Sequence, residues 1–450
     1  MNHGRKFSAI ICLSLAFSFV AGAQTNYLAW HKDAGRVDAD IHGETLLPLL
    51  EGIASQTGWH IFVEPGATRS VSAKFNNLPA GDALKMLLGD LNFAFVPKFN
   101  TNSQLYVFRT QVKNATREVV QGKAAKHVAN ELLLKVKPGT DMDALAKLLN
   151  AKITGKLDKY GVYRLQFADA SATDAALAQL QNNSDVEDVD YNYYFDPPPT
   201  AEAASSASSA PLSLTLNPPP ASGKVIVGLI DTDVQSLGSQ LDQFVQKQIS
   251  VADGTPSDST INHGTAMAYT ILSSIASSTG SSGTSVEIQP VDVYGSAETT
   301  TSWNVALGVQ AAVNAGATVL NMSLGSTGDS SVLDDVLAQA AQDGITSFAA
   351  TGNTPIDAPY YPAADPGVIP VTALGQGGQL ASYANSWPDA SMIALPGTSL
   401  VYYNGQQWVV QGTSTSTAIS SGIYAGNLAA HGWPQAQILN AMENKFTVPK

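Results

Sequence analysis

A chain of 450 residues with 44% hydrophobic side chains is long enough for two or three cored units, and its formal charge of −13 is unevenly spread. Residues 224–450 hold 4 Lys, no Arg and 16 acidic groups, a balance of −12, and such a surface repels phosphate backbones and argues against nucleic-acid partners. The single cysteine, Cys12, lies in an early apolar run, so the chain beyond it has no disulfide, thiolate nucleophile or Cys-ligated zinc.

In chain order, Arg5 and Lys6 precede the apolar run AIICLSLAFSFV, and Ala21-Gly22-Ala23 follows as a small-x-small cleavage site. Residues 1–23 therefore read as an export signal, and the protein as periplasmic or extracellular. Residues 41–110 give helix ETLLPLLEGIASQTG, strands WHIFVEP and RSVSAKF, helix AGDALKMLLGD, and strands FAFVPKF and QLYVFR, a small α+β domain. Residues 128–195 give strand ELLLKVKPG, helix DMDALAKLLN, strands within KLDKYGVYRLQF, helix DAALAQLQNN and strand DVEDVDYNYYF, an order that fits a ferredoxin-like unit. Residues 196–223 carry two triple-proline runs around an Ala/Ser tract, a composition expected to be an extended, flexible linker.

Residues 224–450 alternate strand and helix: VIVGLID, helix SWNVALGVQAAVNAG capped by Thr301 or Ser302 and stopped at Gly316, strand ATVLNMSLG, helix VLDDVLAQAAQDG ended by Gly344, then strands ITSFAATGN and VIPVTAL. Repeated βαβ units imply an α/β fold, a parallel sheet with helices on both faces and a ligand crevice beyond the carboxyl strand ends.

Two histidines lie in this block. His431, before Gly432 and Pro434, reads as a helix-terminal residue, whereas His263 sits at the mouth of a helix. Asp231 ends the buried strand VIVGLID, where a carboxylate can orient an imidazole or merely cap the next turn. Ser414, in GTSTSTAISSG, stands after the strand-like WVVQ at a helix start, where N–H groups stabilise an oxyanion, although an N-cap role is equally natural. Seven Ser or Thr lie between 413 and 421, so local sequence does not choose among them.

Together the blocks VIVGLIDTDV, NHGTAMA, ATVLNMSLG, AATGN and GTSTSTAISSG resemble, in order, those of the subtilisin-like serine proteases. The resemblance implies a subtilisin-like peptidase domain at 224–450, with Ser414 as nucleophile, His263 as general base, Asp231 as its orienting partner and Asn353 as oxyanion donor. It also implies that Ser323, Leu324 and Gly325 pair with an extended peptide, and that Ala350, Thr351 and Gly352 border the pocket for the side chain before the cleaved bond. The departures are Asp233 for a glycine, Ala266 and Tyr269 for a His and a Gly, and Thr415, Ser416 and Ala418 for Met, Ala and Pro. Asp233 stands two residues from Asp231, where a second carboxylate can raise the pKa of one of the pair.

Residues 128–195 resemble the inhibitory propeptides of this family, with DVEDVDYNYYF as the tail in the cleft and 196–223 as the region of self-cleavage. Residues 41–110 resemble the short N-terminal domain of secretins and TonB-dependent receptors, which implies a Gram-negative source and protein contacts in the envelope. The expected function is a secreted serine endopeptidase made as a self-inhibited zymogen, acting on polypeptides. The alternative is a catalytically inactive peptide-binding protein of the same fold in the periplasm. A serine hydrolase of another kind is disfavoured because no G-x-S-x-G elbow occupies a strand-to-helix turn in the right chain order. Calcium is common in the family, but the acidic loops have no definite ligand spacing, so no metal ligand and no certain cofactor is assigned.

Overall fold

The computed structural model describes residues 27–448 except 32–34, 65–68, 98–102, 116, 120–124, 182, 205–211, 220–222, 239, 255–259, 281, 357 and 388–389. The signal expected at 1–23, with Cys12, lies outside the described residues. The chain forms two compact units, Met1–Val119 and Val120–Lys450.

In the first unit, Tyr27–His31, Arg36–Thr45 and Ser70–Pro79 make an antiparallel sheet, and Asn92–Val96, Gln104–Phe108, His60–Val63 and Arg117–Val119 make a mixed one in which His60–Val63 runs parallel to Gln104–Phe108. Helices Leu46–Thr57 and Ala80–Leu88 bury Leu49, Leu50, Ile53, Leu84 and Leu87 against Ile61, Leu105 and Val107. The unit is larger than the expected 41–110, because residue 41 falls inside Arg36–Thr45. Val37, Ala39 and Ile41 are buried there at the period of two that marks a strand with one face on a core.

The second unit is built on a seven-stranded, wholly parallel sheet. Its spatial order is Ile249–Ser250, Val286–Asp292, Val225–Asp231, Val319–Met322, Thr346–Ala350, Val368–Leu374, Ile393–Pro396. All seven residues of Val225–Asp231 are buried, which is why that run reads as continuously apolar. Val225, Val227 and Leu229 meet helices His263–Thr279 and Thr413–His431 on one face. Ile226 and Ile230 meet Ser302–Asn314 and Ser331–Gln342 on the other. The chain leaves the first strand toward one side and returns to the other at Val319–Met322, so the switch point opens a crevice beyond Asp231 and Met322.

Residues 127–195 form a β-α-β-β-α-β unit with strand order Val186–Phe195, His127–Val136, Val162–Gln166, Lys152–Leu157. Leu132, Leu134 and Leu165 face its own helices, Met142–Leu148 and Ala170–Leu180. Leu133, Leu157 and Val162 turn the other way, onto the helices that start at Ser302 and Ser331. The last strand also caps those helices. Asn192 Oδ1 accepts from Trp303 N at 3.0 Å and Ser302 Oγ at 3.2 Å, and Asp190 Oδ2 accepts from Ser331 N at 2.8 Å. Both carbonyl-type oxygens thus satisfy N–H groups that a helix start leaves open, and the Asp190 charge complements the dipole.

The expectation of a flexible linker at 196–223 is corrected for its described parts. Asp196 N donates to Gly325 O at 3.1 Å, residues Glu202–Ala203 pair antiparallel with Gln406–Gln411, and Thr215–Leu216 pair parallel with Gly283–Thr284. Leu214 is 1% exposed within the main core. A few leucines and edge pairings suffice to dock a segment whose composition alone cannot form a core. Residues 205–211 and 220–222 lie outside the described residues.

Candidate active site

Asp231, at the carboxyl end of its strand, and His263, the first residue of helix His263–Thr279, meet across the crevice. His263 Nδ1 lies 2.7 Å from Asp231 Oδ1, and both side chains are 2% exposed. A carboxylate acceptor requires the proton on Nδ1, which leaves Nε2 as the imidazole's basic nitrogen. Nε2 is buried and has no hydrogen-bond partner among the described residues. Asp231 Oδ1 also accepts from Thr232 N at 2.7 Å, and Thr232 Oγ1 accepts from Gly264 N at 2.8 Å, so the strand end and the helix start are tied at two levels.

Asp233 is buried and accepts from the side chain of Asn262, the residue before the helix. The tyrosine that departs from the family pattern also has a structural partner, since Tyr269 Oη accepts from Leu212 N at 3.2 Å and so holds the docked segment.

Ser414 is the second residue of helix Thr413–His431 and is 3% exposed. The cap position belongs to Gly412, so the N-cap reading of Ser414 does not hold. Its hydroxyl donates to Ser323 O at 3.0 Å, while Ser323 Oγ donates to Ser414 O at 3.1 Å. The expected serine is therefore seated on the expected cleft strand rather than on His263. Of the departures around it, Ser416 donates to Leu395 O at 3.0 Å, and Thr415 and Ala418 are fully buried.

Asn353 is oriented from the same helix start. Its Oδ1 accepts from Thr413 N at 2.8 Å and Thr413 Oγ1 at 3.1 Å, which directs Nδ2 toward Gly412, where a Cβ would come within 3.0 Å. Thr413 Oγ1 accepts from Gly352 N at 3.1 Å, joining that helix to Ala350, Thr351 and Gly352. Gly352 has φ +97, a conformation that favours glycine, and its carbonyl accepts from Asn385 N at 3.0 Å.

Tail residues of the 127–195 unit reach the other end of the cleft. Tyr194 and Phe195 pair antiparallel with Thr301 and Thr300, and Phe195, 1% exposed, clusters with Leu324, Tyr294 and Trp303. Tyr294 Oη donates to Asp196 O at 3.3 Å, and Tyr360 Oη to Asp196 Oδ2 at 2.5 Å. Sequence reading anticipated Gly325 as a strand partner but missed Thr300, Thr413, Tyr294 and Tyr360. Nothing local marks them; they are neighbours only across the fold.

Residues 222–446 match the Subtilase family profile, and residues 113–192 match the fervidolysin N-terminal prodomain. The chain belongs to the subtilase family. It is 31% identical to thermitase of Thermoactinomyces vulgaris over 226 residues, 48% of this chain and 79% of thermitase. Against the thermostable alkaline protease of Halalkalibacterium halodurans, identity is 38% over 124 residues, 27% of this chain, and the match spans 34% of that protein's length. The crystal structure of fervidolysin from Fervidobacterium pennivorans, a keratinolytic enzyme related to subtilisin, shares the fold at TM-score 0.54 and 19% identity, over 71% of this chain and 56% of that one. Among the described residues, no helix is long and apolar enough to cross a membrane.

Gly264 permits the contact between strand end and helix start, because a Cβ there would run into the backbone carbonyls of Thr232 and Asp233. Gly264→Ala is expected to cost about 1–3 kcal/mol by overpacking and to pull His263 from Asp231. Thermal unfolding, and loss of the downfield imidazole N–H resonance in a proton NMR spectrum, check both effects.

Proposed function

We propose that the protein is an exported serine endopeptidase made as a zymogen, and the buried Asp231–His263 pair with its basic Nε2 left unengaged carries this reading. Rotation of the Ser414 side chain moves its hydroxyl from Ser323 O to Nε2, a tightening common when substrate binds. His263 then takes the proton as Oγ attacks the peptide carbonyl, and later returns it to the leaving amine. Asp231 holds the tautomer and stabilises the imidazolium. Asn353 Nδ2 and the N–H groups at the start of helix Thr413–His431 stabilise the oxyanion. Ser323, Leu324 and Gly325 present the strand edge on which an extended polypeptide docks. Ala350, Thr351 and Gly352 border the adjoining side-chain pocket.

The unit at 127–195 serves as the inhibitor. Its tail enters at Gly325 and emerges at Glu202, paired with Val409. On this reading prolines 197–199, which lie between those two contacts in the chain, cross the catalytic end of the cleft. Bonds leading into these prolines have a ring-closed nitrogen that crowds the leaving side and locks φ, so this stretch inhibits without being cut. Self-cleavage therefore falls downstream, within 200–223.

The full chain is expected to process in that interval and to be labelled by a fluorophosphonate, and Ser414→Ala to do neither; mass spectrometry and gel fluorescence decide. A wild type that neither processes nor labels would leave the inactive peptide-binding reading. Asn353→Ala should retain labelling but lose about 10²–10³ in kcat. Thr301 caps helix Ser302–Asn314 from within, and Asn192→Ala removes the further acceptor that the docked unit gives Trp303 N, at about 1 kcal/mol, so inhibition by the added prodomain should weaken about fivefold in a peptide hydrolysis assay.

Residues 27–119 are read as an envelope contact module. The edge strand Asn92–Val96 exposes Phe95 and Val96, a surface suited to an added strand. Deleting this unit is expected to leave peptide hydrolysis intact and to abolish co-fractionation with envelope proteins.

A further inference from the structure

We propose that Asp329, Asp334 and Asp365 form a binding site for a divalent, oxygen-preferring cation, calcium foremost. The three come from different segments: the loop after Val319–Met322, the helix Ser331–Gln342, and the stretch before Val368–Leu374. One carboxylate oxygen from each lies within 4.8 Å of the others. Ligands about 2.3–2.6 Å from one calcium ion are at most about 5 Å apart, so a single ion can touch all three.

Asp365 supplies the independent observation. It is 4% exposed, and no N–H, hydroxyl or cationic donor among the described residues reaches either of its carboxylate oxygens or Oδ1 of Asp334; the polar group that Asp365 faces is the Asp334 carboxyl. A buried carboxylate without donor or counter-charge is costly, and a cation removes that cost. Side-chain cations nearby are committed elsewhere: Lys135 to Asp335 at 2.7 Å, and Lys159 to Asp343 at 3.3 Å. Asp190, held by Ser331, adds negative potential rather than relieving it.

The donor set is all oxygen, which disfavours zinc and copper, and three carboxylates with water suit the irregular coordination that calcium accepts. Ser330 Oγ, 2% exposed and without a partner among the described residues, adjoins Asp329 in sequence as a further oxygen. Acidic spacing of 329, 334 and 365 follows no loop motif, so only the fold assembles it.

The test uses the full Ser414→Ala chain, freed of metal with a chelator, so its outcome is independent of the protease reading. Calcium chloride is titrated by calorimetry, and terbium by tyrosine-sensitised emission. One site is expected, with thermal unfolding raised by about 3 °C or more at saturation. Asp329→Asn, at an exposed position, should weaken calcium about tenfold or more, and Asp365→Asn should abolish binding while leaving the calcium-free Tm unchanged or higher. The proposal is overturned if the wild type shows neither heat nor terbium emission, which would mean that Asp334 and Asp365 share a proton instead. It is equally overturned if calcium binds the two variants as tightly as the wild type.

Discussion

A carboxylate with 1% exposure at the end of the central strand has to be paired, and the parallel sheet decides with what. Because Val225–Asp231 lies between Val286–Asp292 and Val319–Met322, its carboxyl end opens at the switch point, where helix His263–Thr279 begins. Thr232 and Gly264 bring the two elements within hydrogen-bond reach, and the imidazole satisfies the charge. The crevice, the seat of Ser414 and the strand edge at Gly325 all follow from the same register.

The second recurring device is the helix start. Helix Thr413–His431 uses its first turn to hold Asn353 and present Ser414. The helices beginning at Ser302 and Ser331 receive Asn192 and Asp190 from the docked unit instead. The same open N–H groups thus orient Asn353 at one site and receive the docked unit at two others. From there the tail pairs first with Thr300 and Thr301 and then with Gln406–Gln411, so one stretch of chain joins the docked unit to two edges of the peptidase fold.

Much of this was legible. VIVGLID, ATVLNMSLG and VIPVTAL read as buried strands because both faces are covered, and Gly316 and Gly344 stop their helices at φ +90 and +82. The five blocks kept Asp231, His263, Asn353 and Ser414 in one ordered pattern. What escaped notice was long-range. Tyr27–His31 and Arg36–Thr45 gain meaning only when Ser70–Pro79 pairs with them, and the Pro/Ala/Ser segment is ordered by partners such as Tyr269 that lie far along the chain.

The sequence by itself therefore determined the elements, their alternation and the identity of the chemical groups, since periodicity, glycine stops and strand-end positions are local properties. Only the tertiary structure decided that Ser414 rests on Ser323, that Asn353 is aimed by Thr413, and that Asp329, Asp334 and Asp365 face one another. Those contacts depend on sheet register and helix placement, to which each residue contributes without encoding its partner.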